Sequence, residues 1–175
     1  NLYGLALAYK KNNNFNEGLA SLDKLLEKYP KNLVLNTTKV EFLSYFNKFN
    51  DALDLANKFL EISPKNYPLS ISKSQILLNM GQYFESEEII RDQLLRKNDS
   101  PELWFMLSET QKTSQNIVGY HQSRAEYFLL LGQDEKALNQ LEFALQLTQN
   151  NFQVSDRIMT KIIEIKKSLQ NSRGL

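Results

Sequence analysis

The sequence predicts an all-α chain of helical hairpins stacked into a solenoid, and three observations carry that reading. Glycine (6) and proline (4) are scarce among 175 residues, alternating β-branched runs are missing, and Leu, Lys, Glu, Asn and Gln dominate, a helix-forming composition. Pro30 and Pro64 lie 34 residues apart (64 minus 30), and Phe15, Phe49 and Tyr83 keep that step twice (49 minus 15, 83 minus 49). Around each aromatic the text repeats: "NNNFNEGLASLDKLLEKYP", "YFNKFNDALDLANKFLEISP", "NMGQYFESEEIIRDQLL". A period of this length marks a unit that cannot bury its own apolar stripe and must stack on the next.

The first helix carries Leu2, Leu5, Ala6 and Tyr9 at helical spacing. A polar turn, Asn12-Asn13-Asn14, interrupts it, and a second amphipathic helix follows with Phe15, Leu19, Leu22, Leu25 and Leu26. Proline disfavours helix at the residue before it, so second helices stop near Tyr29 and Ser63. Hairpins are therefore expected at residues 1–30, 31–64 and 65–98. Pro68 and Pro101 fall at helix starts, where a missing N–H costs nothing, with Ser100 as the N-cap before Pro101. The next turn glycine after Gly81 is Gly132, 51 residues on (132 minus 81), which is one and a half repeats. One extra helix is expected at residues 101–113, carrying Trp104, Leu107 and Ser108, ahead of a last hairpin at residues 118–148. A helix at residues 152–170 puts Phe152, Ile158, Ile162, Ile165 and Leu169 on one face, with Lys161, Lys166 and Lys167 on a polar outer side. It reads as a cap that closes the stack against water. Residues 171–175 read as a frayed tail. No Gly-, Ser- or Pro-rich linker divides the chain, so residues 1–170 read as one domain, and the start at Asn1 reads as a cut from a longer protein.

Composition also excludes function classes. Lys+Arg 21 against Asp+Glu 20 leaves a net charge of +1, too little for a domain that neutralises phosphates, so nucleic acid is not an expected partner. No run approaches 18 apolar residues, and no membrane insertion is expected. Zero Cys removes disulfides and thiolate chemistry without indicating a redox compartment. His121 is the single histidine. Without a second His or any Cys it reads as a structural, hydrogen-bonded residue near a helix start rather than a zinc ligand. The neighbours Glu87-Glu88 and Asp134-Glu135 point about 100° apart on a helix and read as solvated faces, not acid/base pairs. No catalytic residue, cofactor or metal is expected in this chain.

Leu5-Ala6, Tyr9 and Gly18, then Val40, Leu43, Ala52, Ala56 and Pro64, then Ser74, Leu77, Gly81, Tyr83 and Ser86, occupy matching positions of successive units. Ala125, Phe128, Gly132, Ala137, Leu141 and Ala144 fill them again. This pattern resembles the tetratricopeptide repeat (TPR). The resemblance implies a right-handed superhelix whose first helices line a concave groove for a protein or peptide. The groove candidates it implies are Tyr3, Lys10 and Lys11; Thr37, Glu41 and Tyr45; Ile71, Gln75 and Asn79; Phe105, Glu109 and Lys112; and Gln122 and Glu126. Tyr3 and Leu7 stand where the adaptors that clamp a chaperone's terminal carboxylate need Lys and Asn, so that specialised function is not implied.

The stretch Tyr120 to Leu145, followed by "FQVSDRIMTKIIEIK", goes further. His121, Ala125, Glu126, Tyr127, Gly132, Ala137, Gln140, Leu141, Ala144, Leu145, Ser155, Arg157 and Ile158 resemble the C-terminal TPR domain of BepA/YfgC-like periplasmic zinc metalloproteases. That resemblance implies an upstream His-Glu-x-x-His protease domain holding the zinc, a periplasmic location, and work on outer-membrane protein assembly and quality control. Implied partners are outer-membrane barrel proteins, their assembly machinery, or the protease domain itself. A stand-alone TPR adaptor of a bacterial cytoplasmic complex is the alternative. The His-Glu-x-x-His motif is not in this chain, which is not expected to be an enzyme.

Overall fold

The computed structural model describes residues 2–148 and 150–173. Its elements are α1 (Leu2–Lys11), α2 (Phe15–Lys28), α3 (Leu33–Tyr45), α4 (Phe49–Ile62), α5 (Tyr67–Asn79), α6 (Tyr83–Arg96), α7 (Pro101–Thr113), α8 (Ile117–Leu130), α9 (Asp134–Leu147) and α10 (Phe152–Arg173). No strand occurs among the described residues.

Local chemistry sets the helix ends. Asn32, Asn66 and Ser100, 34 residues apart (66 minus 32, 100 minus 66), cap α3, α5 and α7. Each side chain accepts the N–H of the residue three further on, Leu35, Leu69 and Leu103, which satisfies one donor that a helix start leaves orphaned. Tyr29 and Ser63 close α2 and α4 directly before Pro30 and Pro64, as expected. Five helix-to-helix links hold one residue in the left-handed region: Asn13 (φ 56), Asn47 (φ 58), Gly81 (φ 78), Gln115 (φ 62) and Gly132 (φ 68). The first four are 34 residues apart (47 minus 13, 81 minus 47, 115 minus 81), and the fifth follows after 17 (132 minus 115). The period thus runs unbroken through the α7–α8 link and the half-step comes after α8. The odd helix expected at residues 101–113 is present as α7. It packs on α8, α8 packs on α9, and α9 on α10.

The chain forms two compact units, up to Ser86 and from Glu87 onward, divided inside α6. No linker announces the division, because hairpins of a repeat protein contact only their neighbours and no single core spans the array. In the first unit, Val40, Leu43, Ala52, Ala56, Phe59, Leu69 and Ile76 form one cluster, and Ala6, Leu22 and Phe42 another. The rings of Phe15, Phe42 and Phe46 meet at centroid distances of 4.9–5.9 Å, a geometry that adds about 0.5–1.5 kcal/mol per pair beyond burial. Buried Ser74 and Ser86 hydroxyls lie 2.9 Å apart, and each also donates to the other's carbonyl, so the polar atoms at this close approach are satisfied.

In the second unit, Ala125, Ala137, Leu141 and Ala144 pack against Ile158, Ile162 and Ile165 of α10. One expectation for α10 is corrected. Phe152 does not share the buried face: it is 85% exposed, because six residues of helix turn it about 120° away from Ile158. Lys161 pairs with Glu126 of α8, and Lys166 Nζ lies 3.3 Å from Glu142 Oε1 of α9. Both lysines therefore stitch a seam, and the exposed side includes Met159 and Ile163. The helix runs to Arg173, and of the tail expected at residues 171–175, Gly174 and Leu175 lie outside the described residues.

Candidate functional site

In the first unit the opening helices of successive hairpins, α1, α3 and α5, share a face. The Tyr3 hydroxyl lies 3.3 Å from Thr38 Oγ1. The Lys10 ammonium sits 5.0 Å from the centroid of the Tyr45 ring, an arrangement the ring quadrupole favours. The Tyr45 hydroxyl donates to Asn13 Oδ1 at 3.4 Å, and the ring is half exposed (51%) and edge-on to Phe46. Thr37 and Glu41 line an open recess with Leu33, Val34, Thr38, Asn66 and Pro68. Thr37 is itself buried, so it forms wall rather than contact surface, whereas Glu41 is exposed. Gln75 Nε2 donates to Asn79 Oδ1 at 3.3 Å on the exposed side of α5, Ile71 before them is half-buried, and Lys11 is exposed. The structure thus joins Lys10 with Tyr45, Thr37 with Glu41, and Gln75 with Asn79. It adds Val34, 68% exposed at the recess, and Asn13. Val34 was legible as an apolar residue one helical turn before Thr37 and Thr38.

In the second unit, Phe105 is 41% exposed and its ring stands 5.5 Å from that of Tyr127. The Lys112 ammonium is 5.9 Å from the Tyr120 ring. Glu109 and Gln122 are half-buried. Glu126 is occupied by Lys161, so this candidate ties α8 to α10. Sequence reasoning missed Arg124, whose guanidinium carbon lies 5.0 Å from the Phe105 ring centroid. Its signal was available: the 34-residue register sets Arg124 after Leu22, Ala56 and Ile90, all wholly buried.

His121 Nδ1 is 2.8 Å from Gln140 Oε1, and with the ring proton on that nitrogen it donates the bond, the structural role expected of it. Among the described residues no three of His, Cys, Asp and Glu gather as metal ligands. Glu87 is not the solvated residue expected: it accepts from Gln111 Nε2 at 3.0 Å and from Arg91 at 2.6 and 2.9 Å. Gln111, itself buried, accepts in turn from the Ser123 hydroxyl at 2.7 Å. Glu102 is held below the usual carboxylate range, first by its own backbone N–H at the start of α7 and then by the Ser100 hydroxyl.

No family model matches the chain, and no curated protein matches it. Solved structures do. MamA from Desulfovibrio magneticus RS-1, from residue 41 to its end, superposes with a TM-score of 0.65 at 12% identity, over 95% of this chain and 94% of that one. A tetratricopeptide repeat protein from Parabacteroides merdae gives 0.58 at 15% identity, over 93% and 70%. The Naa15/Naa10 structure bound to HypK-THB gives 0.57 at 18%, covering 99% of this chain and 34% of that one. The fold is that of the tetratricopeptide repeat.

Proposed function

We propose that this chain is a non-catalytic scaffold that binds another protein through the face shared by α1, α3 and α5. The observation that carries this is the row of partly exposed side chains running from the Leu33–Val34–Pro68 recess, with Glu41 at its rim, to the Lys10–Tyr45–Asn13 group. A rigid aromatic beside an apolar recess and flanking charges of both signs suits a folded or extended protein segment held by several moderate contacts, in which a few anchors dominate. The Naa15/Naa10 structure, a fold neighbour, is itself bound to HypK-THB, which supports the reading by analogy of fold.

The finer proposal is that the chain is the C-terminal TPR domain of a periplasmic zinc metalloprotease acting in outer-membrane protein assembly and quality control. Its support is the Tyr120–Leu145 resemblance. A stand-alone cytoplasmic TPR adaptor would use the same fold and the same face. Affinity capture from extracts of the source cells, with wild-type chain and Tyr45→Ala side by side, tests the scaffold. We expect a partner retained by wild type and lost or depleted with Tyr45→Ala at unchanged helical circular dichroism. Equal retention by both proteins, or none by either, overturns it. Envelope proteins in the retained fraction support the periplasmic reading, and cytosolic proteins alone support the adaptor.

A further inference from the structure

Arg124 of α8 holds a buried side-chain nitrogen that has no hydrogen-bond partner among the described residues. Its guanidinium carbon lies 5.0, 5.1 and 5.2 Å from the ring centroids of Phe105, Tyr127 and Phe128. Nη1 is buried without a hydrogen-bond partner, and among the described residues Arg124 makes no ion pair. Its register positions elsewhere hold Leu22, Ala56 and Ile90, all wholly buried, so a cation stands where the repeat otherwise places core. The Phe128 ring carries a second cation, the Lys136 ammonium at 5.6 Å, and Lys136 is likewise outside the ion pairs of the described residues.

Ring faces offset part of the cost of desolvating a cation, but they accept no strong hydrogen bond, and a guanidinium has five donors to place. Two positive charges against one ring, neither of them in an ion pair among the described residues, raise the local potential. The low-dielectric aromatic surround strengthens any ion pair formed there relative to one in water. The ligand that answers all of this is a carboxylate: planar, two oxygens, matched to the guanidinium fork. Phe105, 41% exposed, provides apolar surface beside the guanidinium.

We infer that Arg124, framed by Phe105 and Tyr127 and backed by Lys136, is a receiving site for an aspartate or glutamate side chain of a bound protein. This rests on the scaffold reading and adds a second contact region, in the second unit, with a stated chemistry. The acidic side chain pairs with the guanidinium edge, and its flanking apolar residues lie on Phe105.

The test uses the full chain with arginine side chains labelled with nitrogen-15, titrated with two blocked peptides, Gly-Ser-Leu-Glu-Leu-Ser-Gly and its Gln counterpart, both blocked at the termini so that no other carboxylate is present. We expect the Arg124 Nε–Hε signal to shift with the Glu peptide and binding to be about tenfold tighter than for the Gln peptide, the scale of one charge-assisted hydrogen-bonded pair. Arg124→Met, which keeps the packed stem, is expected to remove the preference. Arg124→Lys, which keeps charge but loses the fork, is expected to retain a reduced one. Equal binding of both peptides, or a Glu preference that survives Arg124→Met, overturns the acidic-side-chain site while leaving the scaffold standing. No shift with either peptide at millimolar concentration also overturns the site, whereas the scaffold itself falls on the capture experiment. Should Arg124→Met fail to fold, the wild-type shift and the Arg124→Lys comparison still decide.

Discussion

Gly18 is a residue at which repeat pattern and packing coincide. A Cβ there would meet the Phe42 ring at 2.4 and 2.6 Å, and that ring, held by Phe15 and Phe46, is 1% exposed and has nowhere to go. Gly18→Ala is expected to destabilise the chain by about 1–3 kcal/mol through overpacking, read as a lowered urea midpoint; an unchanged midpoint would mean that Phe42 moves freely. At Ser100 the hydroxyl both caps α7 and donates to Glu102. Because the Glu102 carboxyl titrates below its ordinary value in the folded chain, its contribution is present above the unfolded-state pKa and fades as pH falls through the lowered folded value. Ser100→Ala is expected to move the Glu102 carboxyl back upward, measured from its side-chain carbon-13 shift between pH 2 and 6, and to flatten the acid end of the stability profile. Small residues at close approaches were legible because the period selects them. Arg124 was overlooked although the register sets it at the position of Leu22, Ala56 and Ile90, since a charged side chain reads as surface until the rings around it are placed.

At the level of elements, helix positions were largely written in the proline and aromatic spacing, and the turn after α7 was not. Four of the five left-handed links use Asn or Gly, residues that tolerate that conformation, whereas the fifth uses Gln115. With Gln rather than Gly or Asn at the left-handed position, the α7–α8 link fell outside the repeat pattern although Asn116 beside it caps α8, and α7 looked like an insertion. Gln115→Gly is expected to stabilise by about 0.5–1 kcal/mol, the left-handed cost relieved less the extra unfolded-state freedom of glycine. A rise of a few degrees in the melting temperature checks it, and a fall would show Gln115 making contacts that outweigh its backbone. The α10 correction has a different origin: an apolar residue at a helix's first position, Phe152, was counted onto a face that the 100° step does not give it.

For the whole molecule, cohesion comes from neighbour contacts, so damage should stay local. Ala137 is wholly buried against α8 and α10 residues in the second unit. Ala137→Leu is expected to destabilise by about 1–3 kcal/mol and, in hydrogen exchange, to lower protection in α8 to α10 while α1 to α4 keep theirs. Uniform loss across the chain would show one cooperative body instead. The candidate face was partly legible at this scale, because the TPR pattern identifies first helices. Which of their residues remain available depended on partners such as Lys161 for Glu126, drawn from 35 residues away in the chain.

The half-step after α8 also bears on how such a chain can grow or shrink. Up to α6 each 34-residue block begins and ends on the same joint, so a block can be duplicated or excised and its flanks will still meet a familiar neighbour. α8 has no such freedom, since it is the second arm of one hairpin and the first arm of the next. A cut between α8 and α10 would therefore leave a joint that matches no other in the chain, whereas one made before α7 would not.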